Sequence, residues 1–369
     1  MSTSISSLRV AMTLEQCWHR VPGGTAVAAI GMARGLKELG TVDVVGVAAA
    51  HRSPAPSAWT PPIEIKHLPL PRPALYESWH RLRRPSVESA TGTVSLIHAT
   101  TMAMPPRTAP VVMTVHDLAF LHEPDHFTNR GMRFFRRGLE LALAEADHVM
   151  CPSDATRRDC EKAGFAPDKL HVIPLGVEPR PVDEQAVAAV RHRYDLNGDF
   201  VLWTGTIEPR KNLPRLLEAF RSLDTDLQLA LAGPKGWNED IEDQVRALGA
   251  RVRPLGFVPH DDLGALYAAA RAFCFPSLLE GFGFPVLEAM AQGTPVITSR
   301  GTSTEEIVGT AGVLVDPLDT TSIAEGMRSV LEDGSLAEKL GEAGRERAST
   351  YTWHATAQAL EKLYRKAAA

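Results

Sequence analysis

Ala272-Phe273-Cys274-Phe275-Pro276-Ser277-Leu278-Leu279-Glu280-Gly281-Phe282-Gly283-Phe284-Pro285-Val286-Leu287-Glu288 reads as a buried strand, a glycine-bearing loop and the start of a helix. The run Ala272 to Phe275 is apolar throughout, as in a strand covered on both faces. Pro285 suits the opening turn of a helix, where a missing N–H costs nothing, and Gly293 suits its C-terminal cap. Gly281 and Gly283 permit a sharp turn and a close backbone approach to a ligand. The N–H groups of Gly283 and Phe284 would then point, with the helix dipole, at an anion above the sheet edge. Glu280 in the loop and Glu288 in the helix set a carboxylate on either side of that seat.

Working outward, strand-like and helix-like segments alternate along the whole chain. Strand candidates include Leu8 to Leu14, Val42 to Val47, Val94 to His98, Val111 to His116, His148 to Cys151 and Leu170 to Pro174. In the second half they include Phe200 to Thr204, Leu227 to Leu231, Val252 to Leu255 and Gly312 to Val315. Helices are expected from Gly24 to Gly40, from Arg130 to Ala146 and after Ser153, and Asn212 is expected to cap another. The stretch from Ser53 to Pro85 is proline-rich and expected to be loop-heavy. Glu178-Pro179-Arg180-Pro181-Val182-Asp183 has the polar, proline-rich composition of a connector. Such alternation predicts an α/β chain of parallel sheets covered by helices, with ligands at the carboxyl ends of the strands.

The 369 residues allow two domains, each with its own core. A net charge of −5 and a pI near 6.2 give no basic field for nucleic acid. Cys17, Cys151, Cys160 and Cys274 are scattered, without the paired spacing of a zinc or redox site. The start, Met1 to Arg9, lacks a basic region followed by a long apolar run, and no apolar stretch is long enough to span a bilayer. The expected setting is therefore cytoplasmic.

Glu280 and Glu288, with seven residues between them in a Glu-Gly-Phe-Gly-Phe-Pro context, resemble the signature of retaining nucleotide-sugar glycosyltransferases of the GT-B fold. The resemblance is to the large family four, which includes mannosyltransferases and glucosyltransferases. It implies two facing Rossmann-like domains and a C-terminal helix crossing back to the first. The expected limits are an acceptor-binding domain over 1–178, a nucleotide-sugar-binding domain over 179–352 and the returning helix over 353–369. It further implies that Glu280 holds hydroxyls of the transferred sugar and Glu288 the nucleotide ribose. Thr204-Gly205-Thr206-Ile207-Glu208-Pro209-Arg210-Lys211-Asn212 resembles the family's second motif, which makes Gly205 and Thr206 donor-binding. There Arg210 and Lys211 would project over the sheet and neutralise the leaving diphosphate, a charge that grows in the transition state.

By the same resemblance His116, at the end of a strand, lies near the transferred sugar, with Asp117 orienting its loop. Gly23 and Gly24 match a glycine loop near the donor phosphate and acceptor, although a strand-to-helix turn alone also favours glycine. Phe257 and Val258 match a segment whose backbone meets the nucleotide base. The cation pair can stand in for a metal, so no metal and no cofactor is expected, the nucleotide sugar being a co-substrate. Asp224-Thr225-Asp226 has a metal-binding pattern but falls at the wrong end of the sheet and reads as a solvated turn.

The segment from Val115 to Pro124 looks most like bacterial mannosyltransferases that build surface polysaccharide or glycolipid. GDP-mannose is the first donor expected and a UDP-hexose the second, with a glycan or lipid-linked glycan as acceptor. A nucleotide-sugar epimerase, a hydrolase or an inactive binding subunit are the other readings of the same fold. Arg130, Arg133, Arg136 and Arg137 interleave with Met132, Phe135, Leu139 and Leu143, whose shared face is expected to pack on the core. The arginines themselves are expected to form a solvated face, with contact with anionic lipid or with a polyprenyl-diphosphate acceptor as the second reading.

Overall fold

Thirteen strands account for both sheets among the described residues, which in this computed structural model are 8–19, 23–178, 181–236 and 238–369. The segment 1–7, Pro22 and the Pro179-Arg180 part of the connector lie outside that description. The first sheet contains β1 (Arg9–Thr13), β2 (Asp43–Ala48), β3 (Ile65–His67), β4 (Leu96–Ala99), β5 (Val111–Thr114), β6 (His148–Cys151) and β7 (Leu170–Val172). Its order is β3-β2-β1-β4-β5-β6-β7, and every pairing is parallel. The second contains β8 (Phe200–Thr204), β9 (Gln228–Ala232), β10 (Val252–Gly256), β11 (Ala272–Phe275), β12 (Val296–Ser299) and β13 (Val313–Val315). It runs β10-β9-β8-β11-β12-β13, again all parallel.

Parallel strands need crossover helices on both faces, so central strands are buried along their length and mostly apolar. All of β5, β8 and β11 is buried accordingly. Each sheet starts in its middle, grows outward in one direction and then returns to grow in the other. The reversal falls between β1 and β4 in the first sheet and between β8 and β11 in the second. Loops leaving the carboxyl ends of such a pair diverge and leave a crevice for ligands. In the second sheet those two loops are the Gly205–Asn212 and Pro276–Gly283 segments.

Two compact units result: Met1–Gly176 together with Tyr351–Ala369, and Val177–Thr350. The last helix, Trp353–Ala367, packs on Gly23–Leu39 in the first unit. Glycines permit this contact. A Cβ on Gly31 would lie 2.3 Å from the Trp353 indole, and one on Gly35 would lie 2.5 Å from the Trp353 carbonyl oxygen. The helix is also bonded into the sheet through His98 of β4. Thr114 Oγ1 donates to Met150 Sδ at 3.4 Å and therefore accepts from His98 Nε2 at 2.7 Å. His98 Nδ1 is then the acceptor for the Tyr364 hydroxyl at 2.6 Å. Burial, with the nearby His116, pushes the His98 ring down to about 3, so it stays neutral.

Several local expectations need correction. The Ser53–Pro85 stretch is more ordered than its prolines imply, holding the edge strand β3 and the helix Arg72–Arg81. Pro73 sits in that helix's first turn, where it is harmless, and Leu75 and Trp79 supply the buried side. In the helix Asn129–Glu145, Leu139 is buried but Leu143 is exposed, and the buried face runs through Gly138, Leu139, Leu141 and Ala142. Phe134 instead stacks on Tyr76 and His80. No helix among the described residues is long and apolar enough to cross a membrane.

Tyr364→Phe should leave His98 Nδ1 buried without its donor. A loss of about 1–3 kcal/mol in unfolding free energy, read from urea titration, is expected.

Candidate active site

The β8 and β11 loops are stitched to each other by groups that the motif alone does not reveal. Asn212 takes a left-handed conformation at φ 60°. Its side chain makes no cap to the following helix, contrary to expectation, and donates to the Pro276 carbonyl at 2.9 Å and the Pro317 carbonyl at 2.7 Å. The Arg210 carbonyl accepts from the Leu278 N–H at 2.8 Å, which locks the two loops in register. Behind Gly205 the approach is closer still. A Cβ on Gly233, at φ 156°, would fall 1.7 Å from the Gly205 carbonyl oxygen, so only glycine fits there.

This stitching places Arg210, Lys211, Glu208 and Glu280 in one ion cluster. Arg210 Nε lies 2.7 Å from Glu208 Oε1, and its Nη1 lies 2.9 Å from Glu280 Oε2. Lys211 Nζ lies 2.6 Å from Glu280 Oε1 and sits over the Phe275 ring at 4.8 Å from the centroid. The Ser277 hydroxyl, on a fully buried residue, lies 2.7 Å from Glu280 Oε1 and donates to it. Ser303 Oγ donates to the Glu280 carbonyl at 2.8 Å. The expected projection of Arg210 and Lys211 over the sheet is thus corrected. Lys211 is buried, Arg210 is half-buried, and both are folded down onto carboxylates.

Burial works to raise the Glu280 carboxyl, but the charges of Arg210 and Lys211, with the Lys211 and Ser277 hydrogen bonds, hold it down at about 2. Burial and then the Arg210 charge draw the Lys211 ammonium below its ordinary value, against the pull of Glu280 and Glu208. Glu280 is therefore a fixed anion at neutral pH, able to accept hydrogen bonds but not to donate one.

Glu288 stands one turn inside the helix Phe284–Gln292, half-buried, with its Oε2 accepting from the Tyr267 hydroxyl at 3.0 Å. Gly283 caps that helix at φ 116°, and a Cβ there would lie 2.9 Å from the Thr304 methyl. Gly293 closes it in the left-handed conformation at φ 75°. Pro285 occupies the first turn, and Phe284 packs edge-on to Phe282 at 5.2 Å. Gly205 and Thr206 continue from β8, with the Gly205 N–H donating to the Ala232 carbonyl at 2.9 Å. At the end of β10 the Phe257 ring is 69% exposed, whereas Val258 is buried. Asp224 and Asp226 are exposed at the amino end of β9, away from all of these.

The remaining candidates lie in the first unit. His116 follows β5 and donates from Nε2 to the Thr100 carbonyl at 3.1 Å, while its own carbonyl accepts from Thr156 Oγ1 at 3.2 Å. Burial lowers its ring below the usual histidine value, only partly opposed by Asp117 and by the Thr100 bond, so it is neutral at pH 7. Asp117 accepts from the Ala119 N–H at 3.1 Å and shapes the loop. Gly23 and Gly24 are the exposed first residues of their helix. Ser153 caps the helix Asp154–Lys162 by accepting from the Thr156 N–H. Glu208, Ser277 and Tyr267 were not singled out from sequence. An acid two residues before the Arg-Lys pair was the one available signal for Glu208.

Residues 189–347 match the family described as glycosyl transferases group 1, and residues 22–180 match glycosyltransferase family 4. The O-antigen chain mannosyltransferase B of Escherichia coli is 33% identical over 270 residues, 70% of this chain and 71% of that protein. The MMP α-(1→4)-mannosyltransferase of Mycolicibacterium hassiacum is 32% identical over 212 residues, covering 55% of this chain and 50% of that one. Among solved structures, Anabaena Alr3699/HepE in complex with UDP and glucose superposes with a TM-score of 0.77 at 20% identity, over 97% of this chain and all of that one. WaaG, a glycosyltransferase involved in lipopolysaccharide biosynthesis, gives 0.70 at 20% identity over 97% and 98%.

The depressed Glu280 pKa carries a sign. Its stabilisation is fully present above the ordinary carboxyl value of 4.5 and is lost as pH falls toward about 2. Unfolding free energies of wild type and Glu280→Gln should therefore differ by a constant amount, about 3–5 kcal/mol for a broken buried pair, until the pH drops below 4.5. A gap that does not shrink in acid would contradict the ion cluster.

Proposed function

Because the chain belongs to the family-four, group 1 glycosyltransferases of GT-B fold, we propose that it moves a hexose from a nucleoside diphosphate sugar to a glycan or lipid-linked glycan hydroxyl, with retention and without a metal ion. The observation that carries this reading is the Arg210–Lys211–Glu280 cluster, seated where the β8 and β11 loops part and beside the amino end of the Phe284–Gln292 helix. Mannose from GDP-mannose is the favoured donor, supported by the names of the relatives from Escherichia coli and Mycolicibacterium hassiacum. A UDP-hexose is the second reading, supported by the UDP and glucose held by the HepE neighbour.

Breaking the sugar–phosphate bond leaves charge on the departing diphosphate. Arg210, Lys211 and the Gly283 and Phe284 end of the helix would meet that charge from fixed positions, which is where preorganised groups lower a barrier most. Glu280, ionised at neutral pH, would accept hydrogen bonds from the transferred sugar's hydroxyls. With its proton gone down to about pH 2 it is no general acid. Its hold on two cations also speaks against a nucleophile free to swing onto the anomeric carbon. A front-face substitution therefore fits best, the acceptor's proton passing to the departing phosphate oxygen.

Glu288 would hold the ribose, Gly205 and Thr206 would line the donor, and the segment Phe257-Val258 would meet the base. In the first unit, neutral His116 would assist at the sugar through its ring or backbone, and Gly23 and Gly24 would offer backbone N–H groups. The reading keeps the enzyme cytoplasmic, with the exposed Arg130, Arg133, Arg136 and Arg137 of the helix Asn129–Glu145 as a solvated face first and a contact with an anionic membrane surface second.

A panel of nucleotide sugars, scored for nucleotide release with and without acceptor, tests the assignment. Acceptor-dependent release is expected. Acceptor-free conversion would point to an epimerase or hydrolase, and binding without turnover to an inactive subunit. Glu280→Ala should lower kcat by about 10²-fold or more. Glu288→Ala should mainly raise the donor KM. Turnover in chelator should be undiminished, and a loss restored by magnesium or manganese would overturn the metal-free mechanism.

A further inference from the structure

Tyr267 lies outside both motifs, yet its hydroxyl joins them. It stands on the helix His260–Ala269 and is 1% exposed, its ring edge-on to Phe273 at 5.4 Å. Thr294 Oγ1 donates to its backbone carbonyl at 2.6 Å, which pins the helix end. The hydroxyl is 2.8 Å from Thr204 Oγ1 and 3.0 Å from Glu288 Oε2. A phenol has one proton, and an ionised carboxylate only accepts. The Tyr267 proton therefore goes to Glu288, and the Thr204 hydroxyl donates to the Tyr267 oxygen. The chain Thr204→Tyr267→Glu288 has one direction, from the last residue of β8 to the helix after the Glu280 loop.

We infer that Tyr267 is a positioning residue for donor recognition, fixing the Glu288 carboxylate in the orientation that grips the ribose hydroxyls. A buried ring with one allowed hydrogen-bond direction holds an acid far more rigidly than water would, and a rigid acid pays less ordering entropy when a ligand arrives. Burial, and then the Glu288 charge, drives the phenol well above its ordinary pKa, so the donor never ionises in the working range. Thr204 adds a second tie, because it precedes Gly205 and Thr206 directly. The diphosphate side and the ribose side of the donor are thereby set by one hydrogen-bonded chain within the second unit.

The inference rests on Glu288 as the ribose-holding acid, so the test separates the two. Calorimetric titration of the full chain with GDP and UDP, each against its 2′,3′-dideoxy form, gives a discrimination ratio for the sugar hydroxyls. Glu288→Gln should abolish the ratio. Tyr267→Phe, which keeps the ring, should lower it about three- to tenfold, the net size of one ordinary hydrogen bond, because the phenol acts on the ribose only through Glu288. The double variant should be no worse than Glu288→Gln alone, and Thr204→Val should give a smaller loss of the same sign. A full ratio in Tyr267→Phe beside a lost one in Glu288→Gln overturns the inference. Equal weakening of ribo and dideoxy forms also overturns it, because that marks a purely structural side chain. A full ratio in Glu288→Gln removes the ribose reading itself. Were Tyr267→Phe to misfold, Thr204→Val decides, and an unchanged ratio there counts against the chain.

Discussion

The ionised carboxylate of Glu280, clamped between Lys211 and Arg210, is the constraint on which the second unit's site depends. It converts two loops from different strands into one surface, because each cation belongs to the β8 loop and the acid to the β11 loop. Burying a carboxylate and an ammonium is unfavourable unless they meet and their remaining hydrogen-bonding capacity is filled. Here it is filled by Ser277, by Glu208 and by the Phe275 face beneath Lys211. Truncating one member strands the others, so the motif residues and their supports act as a unit.

Backbone geometry makes that unit possible. Asn212 in the left-handed region lets its amide reach across to Pro276 and Pro317 rather than cap its own helix. Gly233 lets the β9 loop touch the Gly205 carbonyl, and Gly283 turns the chain under Thr304. The same economy recurs in the first unit, where Gly31 and Gly35 admit the last helix and His98 bonds it to the sheet.

Much of this was legible from the sequence, for a physical reason. Fully apolar strands, glycine-bearing turns and capped helices are local signals, and they located both parallel sheets and the Arg210-Lys211 and Glu280–Glu288 loops. What failed to show was nonlocal. Nothing near Tyr267 in the chain reveals that its hydroxyl meets Thr204 and Glu288, and nothing near Asn212 reveals its carbonyl partners. Leu143 had the right helical spacing to be buried, but the helix is rolled toward Leu141 and Ala142, a choice made by packing on Met102 at Gly138. The edge strand and helix within Ser53–Pro85 were hidden because a first-turn proline such as Pro73 looks the same as a proline in a loop, and a three-residue strand among prolines carries little pattern of its own.

Two positive and two negative side chains in the cluster cancel, and that shapes how an anion is met. Viewed from a Debye length away, about 10 Å in ordinary buffer, Arg210 and Lys211 are masked by Glu208 and Glu280. This quartet exerts little long-range attraction on phosphates in general. On the proposed reading, a molecule already in contact, whose hydroxyls meet Glu280 and whose phosphates meet Arg210 and Lys211 where that acid holds them, would gain the full interaction. Selectivity would then arise at close range, after the long-range fields of the four groups have cancelled.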